Sequence, residues 1–432
     1  MQSVWNDSVT LPHFEKLEKD IKTDVLIVGG GLAGILCAYM LKEKGVDYVL
    51  VEAEKICSGV TRNTTAKITS QHGLIYQKLI SRLGVDKARM YLYANEESIK
   101  KYRDLCKSID CGFEYKSSFV YSLTDRKKLE KEMIALEKIE FKAKLSENLP
   151  LPFPTVGAIE FPHQAQFNPM KFVSSVSKNL NIYENTRVNE IKDHTAFTEN
   201  GKIKAKKIIV ATHFPFINKH GSYFIKMYQN RSYVIALENA QDVYGMYVDE
   251  ADKGMSFRNY NNLLLIGGGD HRTGKRGGKW SELSEFAKKY YPQATEKYRW
   301  ATQDCMTLDG SAYIGKYSAM TPDIYVATGF NKWGMTSSMT AATILSDMIL
   351  GKDNNYSDAF SPSRTVLRPQ LAVNAFEATV NMLTPTTKRC SHLGCALKWN
   401  PQEKTWDCSC HGSRFNKSGE VIDNPANRNI RK

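Results

Sequence analysis

The sequence of 432 residues has no low-complexity tract, no internal repeat and no compact block of arginine and lysine. Without such a block, the formal net charge of +13 does not indicate nucleic-acid binding, because much of the lysine is interleaved with glutamate. Long uncharged runs are also scarce. The longest, 25–41, contains four glycines and follows two aspartates, so it is a poor membrane span or signal peptide. We therefore expect a soluble, cytoplasmic protein with no transmembrane segment.

The length of 432 residues predicts about three folding units, and the apolar content of 42% is enough to give them a buried core. Strand-like runs alternate with helical runs from Asp24 onward, which predicts a mostly parallel sheet with crossover helices. The charged run 125–144 predicts a solvated amphipathic helix, and Tyr- and Val-rich runs between 227 and 265 favour an antiparallel sheet. The polar stretch 352–363 predicts a linker, and Pro369 begins a predicted helix to about Leu383. Its apolar residues Leu371, Phe376, Val380 and Leu383 fall roughly on one face.

A glycine-rich turn predicts a dinucleotide site. Gly29, Gly31 and Gly34 follow a buried strand and begin a helix, and Glu52 ends the next strand 18 residues after Gly34. The glycines permit a tight turn, close approach of the backbone to a pyrophosphate, and packing of helix on strand. The helix N-terminus then binds the phosphates, and Glu52 accepts hydrogen bonds from the ribose hydroxyls. A glycine-rich turn without a ligand is the alternative.

Further segments, in their order along the chain, resemble the flavoenzyme family of D-amino acid, glycine and sarcosine oxidases. They are 59–73, 211–213, 309–315 and 329–335, and the resemblance spans about residues 22–350. It implies FAD as cofactor. The residues implied to contact it are Gly29, Gly31, Gly34, Glu52, Thr64, Thr65, Ala66, Gly329, Asn331, Trp333, Gly334 and Met335.

The same resemblance implies a small amine or amino acid as substrate. The candidate catalytic or substrate-side residues are Lys67, Arg231, Tyr233, Arg258, His271 and Arg272. Each of them is equally compatible with a role in the core or in a surface ion pair. Cys305 aligns with a cysteine that carries covalent flavin in the sarcosine oxidase branch, but a buried cysteine is usually a small apolar residue. We predict FAD without a covalent link.

Four cysteines crowd into the last 45 residues, where they indicate a metal site in a chain without an export signal. Cys390 and His392 form a Cys-x-His pair, and Cys408 and His411 form a Cys-x-x-His pair after 15 intervening residues. A Cys₂His₂ zinc site fits these four ligands but gives no role to Cys395 and Cys410.

The spacing resembles the Rieske ligand set, which implies a [2Fe-2S] cluster with Cys390 and Cys408 on one iron and His392 and His411 on the other. The resemblance also implies a disulfide between Cys395 and Cys410, and a covering proline loop at 423–426. The segment is shorter than the usual Rieske domain. We therefore expect it to form a compact domain or to pack against the flavin domain through the 369–383 helix.

Together these features predict an α/β protein. A Rossmann-type FAD-binding domain comprises 22–100, 155–222 and 301–351, and an inserted antiparallel-sheet substrate domain comprises 101–154 and 223–300. A linker at 352–368 precedes a compact Rieske-type domain at 369–432. The expected function is oxidation of an amine or amino acid, with electrons passing through the cluster to an external one-electron acceptor. The alternatives are a reductase running in the opposite direction, and a non-catalytic electron-transfer or redox-sensing protein.

Overall fold

Two large sheets form the body of the protein in the computed structural model, which describes residues 2–277, 279–365 and 369–430. The first sheet has eight strands, and six of them follow the order β16-β17-β10-β1-β2-β7, with the β8–β9 hairpin paired to the start of β10. Its strands are β1 (Ile21–Val28), β2 (Tyr48–Val51), β7 (Ile182–Tyr183), β8 (Glu190–Lys192), β9 (Thr195–Phe197), β10 (Lys202–Val210), β16 (Tyr313–Ser318) and β17 (Thr321–Thr328). Strands β17, β10, β1, β2 and β7 pair in parallel, as the alternating pattern predicts.

The second sheet has nine strands and is mostly antiparallel, in the order β15-β11-β14-β13-β12-β4-β6-β3, with β5 beside β6. Its strands are β3 (Lys67–Ile68), β4 (Glu114–Ser122), β5 (Lys144–Ser146), β6 (Gly157–Gln166), β11 (Met227–Glu238), β12 (Met246–Asp249), β13 (Ser256–Tyr260), β14 (Leu263–Arg272) and β15 (Thr295–Thr307). Strands β6 and β15 extend this sheet past the predicted domain boundaries at 154 and 300. The division into domains stays a prediction.

Ten α-helices and one 3₁₀ helix (Val60–Asn63) connect the strands of the described residues. They are α1 (Leu32–Glu43), α2 (Tyr76–Leu83), α3 (Val85–Cys106), α4 (Arg126–Lys138), α5 (Pro169–Ser177), α6 (Tyr223–Lys226), α7 (Trp280–Tyr290), α8 (Gly334–Ile349), α9 (Ser357–Phe360) and α10 (Pro369–Leu383). Helices α1 and α8 share the main apolar core with the first sheet. Within the described ranges, no helix is long and apolar enough to cross a membrane.

The predicted linker is partly packed against the body. In α9, Phe360 is buried, and the Arg364 side chain forms a buried ion pair with Asp309, with Nε to Oδ2 at 2.6 Å. The guanidinium also donates to the carbonyl of Ala312 at 2.8 Å. These contacts tie the connection to the end of the first sheet. Residues 366–368 of the predicted linker lie outside the described residues.

The C-terminal module holds a four-stranded antiparallel sheet of β18 (Leu397–Asn400), β19 (Thr405–Cys408), β20 (Arg414–Phe415) and β21 (Val421–Asp423). Helix α10 has the predicted bounds. The apolar face of such a helix is usually buried, but here apolar residues are exposed and two asparagines are buried. Phe376 is 68% exposed and Leu383 is 76% exposed, whereas Asn374 and Asn381 are buried. The reason is hydrogen bonding: Asn374 binds the carbonyl of Ile225, and Asn381 accepts from Ser409.

Candidate functional site

One cavity of about 1220 Å³ extends from the turn between β1 and α1 to the second sheet and the C-terminal module. Most of the residues predicted to contact the cofactor line it. They are Gly29, Gly31, Glu52, Thr64, Thr65, Gly329, Asn331, Trp333, Gly334 and Met335. Gly34 and Ala66 are not among the lining residues.

The glycine turn has the geometry that the fingerprint predicts. Gly29 has φ +111°, and a Cβ there would lie 2.5 Å from the carbonyl oxygen of Ala211. A Cβ on Gly34 would lie 1.9 Å from the carbonyl oxygen of Gly29, so α1 packs directly on the turn. Gly31 caps α1 without a side-chain hydrogen bond, and a Cβ there would meet nothing closer than 3.6 Å. The cavity therefore reaches a helix N-terminus suited to a pyrophosphate.

Glu52 lies at the end of β2 beside this turn. Its carboxylate accepts hydrogen bonds from the backbone N–H of Gly30 at 2.6 Å and of Glu54 at 2.9 Å. Burial raises the pKa of this carboxyl, although both hydrogen bonds lower it. Two backbone donors fix the carboxylate at the cavity wall, where its remaining lone pairs are positioned for the hydroxyls of a ribose.

The loop at 64–67 is held from behind by a buried arginine. Arg258 Nη1 donates to the carbonyls of Thr65 and Ala66, both at 2.8 Å, and Ala66 has φ +55°. Arg258 does not line the cavity. Lys67 does line it, and burial together with the nearby Arg258 charge lowers the pKa of Lys67 to about 7. The structure therefore separates these two candidates: Lys67 faces the cavity, and Arg258 supports the loop.

The segment 329–335 is shaped by one asparagine side chain. Asn331 Nδ2 donates to the carbonyl of Gly329 at 2.7 Å, and its Oδ1 accepts from the backbone N–H of Thr307 at 2.8 Å. Trp333 stacks on His72 with ring centroids 4.9 Å apart. Burial lowers the pKa of His72 to about 3, so this ring is neutral. His72 was not among the predicted residues, and no spacing in the sequence marks it.

The remaining catalytic candidates lie on the neighbouring strands β11 and β14 of the second sheet, and their side chains form hydrogen bonds or ion pairs. Tyr233 Oη lies 3.1 Å from His271 Nε2, and Arg231 forms a buried ion pair with Glu403 of the C-terminal module. Arg272 donates to the carbonyls of Ser409 and Cys410 in the same module. Arg231, Tyr233, His271 and Arg272 all line the same cavity as Lys67. Their roles in catalysis stay a prediction.

The predicted cluster ligands lie on two adjacent loops of the module. The rings of His392 and His411 are 4.9 Å apart and nearly perpendicular, at 88°. Both Nδ1 atoms are buried and lack a hydrogen-bond partner among the described residues. His392 Nε2 lies 2.8 Å from Asn218 Oδ1, which leaves Nδ1 as the free lone pair of a neutral imidazole. Burial and His411 lower the pKa of His392 to about 3.

The four cysteines of the module lie on the same two loops. Cys390 and Cys408 are buried, and the sulfurs of Cys395, Cys408 and Cys410 lie within 4.8 Å of one another. All of these cysteines are free thiols in the structure, so the disulfide between Cys395 and Cys410 stays a prediction. Two orphaned imidazole nitrogens beside buried thiols form a donor set that fits an iron–sulfur cluster with mixed ligands.

Polar side chains of the second sheet bind the cluster loops directly. Gln229 Nε2 donates to the carbonyl of His411 at 2.8 Å and to that of Asn424 at 2.9 Å. Gln303 Nε2 donates to Gln229 Oε1 at 2.7 Å and to the carbonyl of Gly412 at 2.9 Å. Sequence reasoning missed both glutamines, because only sheet pairing brings them to the module.

The proline loop joins the cavity to the module. Residues 421–427 line the cavity, and Asn424 Nδ2 donates to the carbonyl of Phe214 at 2.9 Å. His213 also lines the cavity, at the end of β10, and burial lowers its pKa to about 4. Cys305, in contrast, is buried in an apolar cluster with Met227 and is not among the lining residues.

The family model for FAD dependent oxidoreductases matches residues 24–348, and the model for the Rieske [2Fe-2S] domain matches residues 352–432. A relative whose name describes a Rieske 2Fe-2S iron-sulfur protein, YhfW of Bacillus subtilis (strain 168), is 34% identical over 490 aligned residues. The alignment covers 98% of this chain and 96% of the relative.

Two solved structures show the fold of the larger part. Glycine oxidase from Geobacillus kaustophilus has a TM-score of 0.67 at 19% identity, covering 80% of this chain and 99% of that one. L-Proline dehydrogenase from P. horikoshii has a TM-score of 0.66 at 17% identity, covering 80% and 98%. The predicted fold class and both predicted cofactors, FAD and a [2Fe-2S] cluster, are confirmed.

Proposed function

The chain belongs to the FAD dependent oxidoreductase family and carries a C-terminal Rieske [2Fe-2S] domain, and from that premise we propose that it oxidises a small amine or amino acid and passes the electrons through the Rieske module to an external one-electron acceptor. One observation carries the proposal. The cavity lined by Gly31, Glu52 and Trp333 is also lined by residues 421–427 of the module, next to the loops of the cluster ligands.

Bound FAD accepts a hydride and can release two electrons one at a time, and a [2Fe-2S] cluster accepts a single electron. In the proposed reaction, the substrate carbon that bears nitrogen loses its hydrogen with two electrons. The nitrogen loses a proton, and the C–N bond becomes C=N. Two molecules of the external acceptor take up one electron each.

We assign the FAD-binding roles along the length of the cavity. Gly29, Gly31 and Gly34 bring the backbone and the α1 N-terminus to the pyrophosphate, and Glu52 holds the ribose. The other contacts come from Thr64, Thr65, Ala66, Gly329, Asn331, Trp333, Gly334 and Met335. Small residues and backbone donors at these positions suit a ring that becomes negatively charged on reduction. The charged form of Lys67 adds a cation at the same place.

We assign the cluster to Cys390, Cys408, His392 and His411. The orphaned Nδ1 atoms of both histidines support this assignment, and Asn218 and Gln229 hold the two histidine loops against the flavin-binding part.

An amine or amino acid is favoured by the names of the structural neighbours, which describe a glycine oxidase and an L-proline dehydrogenase. The direction of electron flow is part of the proposal. In a reductase, electrons would enter at the cluster and leave from the flavin. A redox sensor would turn over no substrate.

The test is an anaerobic screen of amines and amino acids on the purified holoprotein, with flavin and cluster absorbance recorded together. We expect at least one compound to bleach the flavin and then the cluster. The matched control is Cys408→Ser, in which the flavin should bleach without the cluster bands. If no amine or amino acid bleaches the flavin while reduced electron carriers reduce the cluster and then the flavin, the proposed direction is wrong.

A further inference from the structure

The floor of the cavity is formed by paired residues of strands β11 and β15. Asn230 lies opposite Asp304, and Ser232 lies opposite Thr302, so their side chains share one face of the sheet. All four line the cavity. The hydroxyl oxygens of Ser232 and Thr302 are buried and lack a hydrogen-bond partner among the described residues. Such orphaned groups are costly unless a ligand completes them.

Asp304 is the charged member of this floor. Within the described chain, its carboxylate accepts no hydrogen bond and has no ion-pair partner. The cations that act on Asp304, Lys332 and Arg231, are bound to other carboxylates, Lys332 to Asp270 and Arg231 to Glu403. Asp304 therefore offers the cavity a carboxylate that none of these cations binds directly. Burial raises the pKa of Asp304 to about 6, although the charges of Lys332 and Arg231 lower it.

The arginines that could bind a substrate carboxylate are already occupied. Arg231 is paired with Glu403, and Arg272 donates to Asn374 and to two carbonyls of the module. Arg258 does not line the cavity. Arg414 also lines the cavity and is paired with three carboxylates of the module. The other cationic residues of the wall belong to elements outside the floor strands: Lys78, Arg82, Arg187 and Lys253.

Lys67 is the remaining cation near the flavin loop. It donates to Thr65 Oγ1 at 3.3 Å, and at neutral pH a lysine with a pKa of about 7 is neutral half of the time. It is a weak anchor for a carboxylate compared with a free arginine. The floor thus offers an acceptor for a cation and no matching site for an anion.

We propose that the substrate is a cationic amine without a carboxylate on the carbon that bears the nitrogen, and that Asp304 binds its ammonium group with the Ser232 and Thr302 hydroxyls beside it. This inference rests on the proposed function, since it names the substrate class of the same cavity. It excludes ordinary α-amino acids, which need a cationic partner for their carboxylate.

The first test measures binding and needs no turnover. Butane-1,4-diamine is titrated into the oxidised holoprotein, and binding is followed by perturbation of the flavin absorbance and by calorimetry. Loss of a charge-assisted contact predicts about 10- to 100-fold weaker binding in Asp304→Asn. Ser232→Ala should weaken binding less, and Asp353→Asn, the same change at an exposed position outside the cavity, should leave it unchanged. Flavin content is measured in each variant. Equal affinity of wild type and Asp304→Asn would overturn the proposal.

The second test compares matched pairs in anaerobic flavin reduction: butan-1-amine with norvaline, and 2-phenylethylamine with phenylalanine. The proposal predicts faster bleaching by the amine of each pair. If the amino acids bleach the flavin and their amines do not, this proposal fails while the proposed function stands. If neither class bleaches the flavin and the diamine does not bind, both fail.

Discussion

The docking of the Rieske module depends on a buried ion pair that can be tested by itself. Arg231 of β11 donates from Nε to Glu403 Oε1 at 2.9 Å, and its Nη2 donates to the other carboxylate oxygen. The two side chains are 8% and 9% exposed. Glu403 also accepts from Arg414 Nη2 at 2.8 Å. The perturbation is Arg231→Met, which removes the cation and keeps much of the alkyl packing.

Two effects determine how strongly Arg231→Met destabilises the module. Hydrogen bonds to charged groups contribute about 1.5–3 kcal/mol each, but the substitution also removes the cost of burying a guanidinium. Arg414 keeps Glu403 paired in the variant. We therefore expect Arg231→Met to destabilise the module by about 2 kcal/mol, and a double-mutant cycle with Glu403→Gln to give a coupling energy of about 2 kcal/mol.

The assay is urea unfolding followed by visible circular dichroism of the cluster, with flavin fluorescence as a separate probe of the larger domain. The matched control is the exposed pair Arg299 and Glu296, in which the arginine is 44% exposed. The same substitutions there should couple by less than about 0.5 kcal/mol. The reasoning is refuted if Arg231 and Glu403 couple no more strongly than this control.

The pair also predicts a pH dependence. Burial raises the pKa of Glu403, but Arg231 and Arg414 lower it by more, so its folded pKa is depressed. Its stabilisation is therefore complete above the unfolded pKa of about 4.3 and is lost as the pH falls toward the folded pKa. Cluster stability should fall more steeply with acid in wild type than in Glu403→Gln.

Three further outcomes follow. Acid precipitation should release FAD into the supernatant, and Cys305→Ala should bind as much flavin as wild type; yellow colour in the washed pellet would contradict this. Metal analysis of protein made under anaerobic, iron-replete conditions should find two irons and acid-labile sulfide per chain, lost in Cys408→Ser with FAD retained, whereas stoichiometric zinc would exclude the cluster. Phe415 is fully buried among the module's cysteines, and Phe415→Tyr should raise the cluster potential by some tens of millivolts by adding a hydrogen-bond donor. Voltammetry that gives an unchanged or lower potential with the cluster intact would refute that reasoning.

Local patterns predicted the elements around the cofactor turn closely. In the sequence, the strand-like run 48–51 coincides with β2, and the helical runs 33–44 and 335–350 differ from α1 and α8 by one residue at each end. All three runs are apolar, and a glycine follows each of the two helical runs, so the information is local. The run 125–144 was less well predicted. Helix α4 ends at Lys138, and the chain turns through Glu140 at φ +62° into β5, where no glycine or proline marks the turn.

The site required information that is not local. Gln229, Arg231 and Tyr233 alternate with Asn230 and Ser232 along β11, and only pairing with β14 and β15 decides which set faces the module. The burial of Asn374 and Asn381 on α10 contradicts the simple rule that apolar residues lie inside. Both asparagines are buried because backbone and side-chain groups of other segments complete their hydrogen bonds.

The most direct test of the central claim is freeze-quench electron paramagnetic resonance after anaerobic mixing of the holoprotein with an amine that bleaches its flavin. The account predicts that the signal of the reduced [2Fe-2S] cluster appears as the flavin bleaches, without any added mediator, because residues 421–427, which contact the second cluster loop through the Ala426 N–H and Ser413 Oγ, line the same cavity. A fully bleached flavin beside a cluster that stays oxidised, although dithionite can reduce it, would contradict the account.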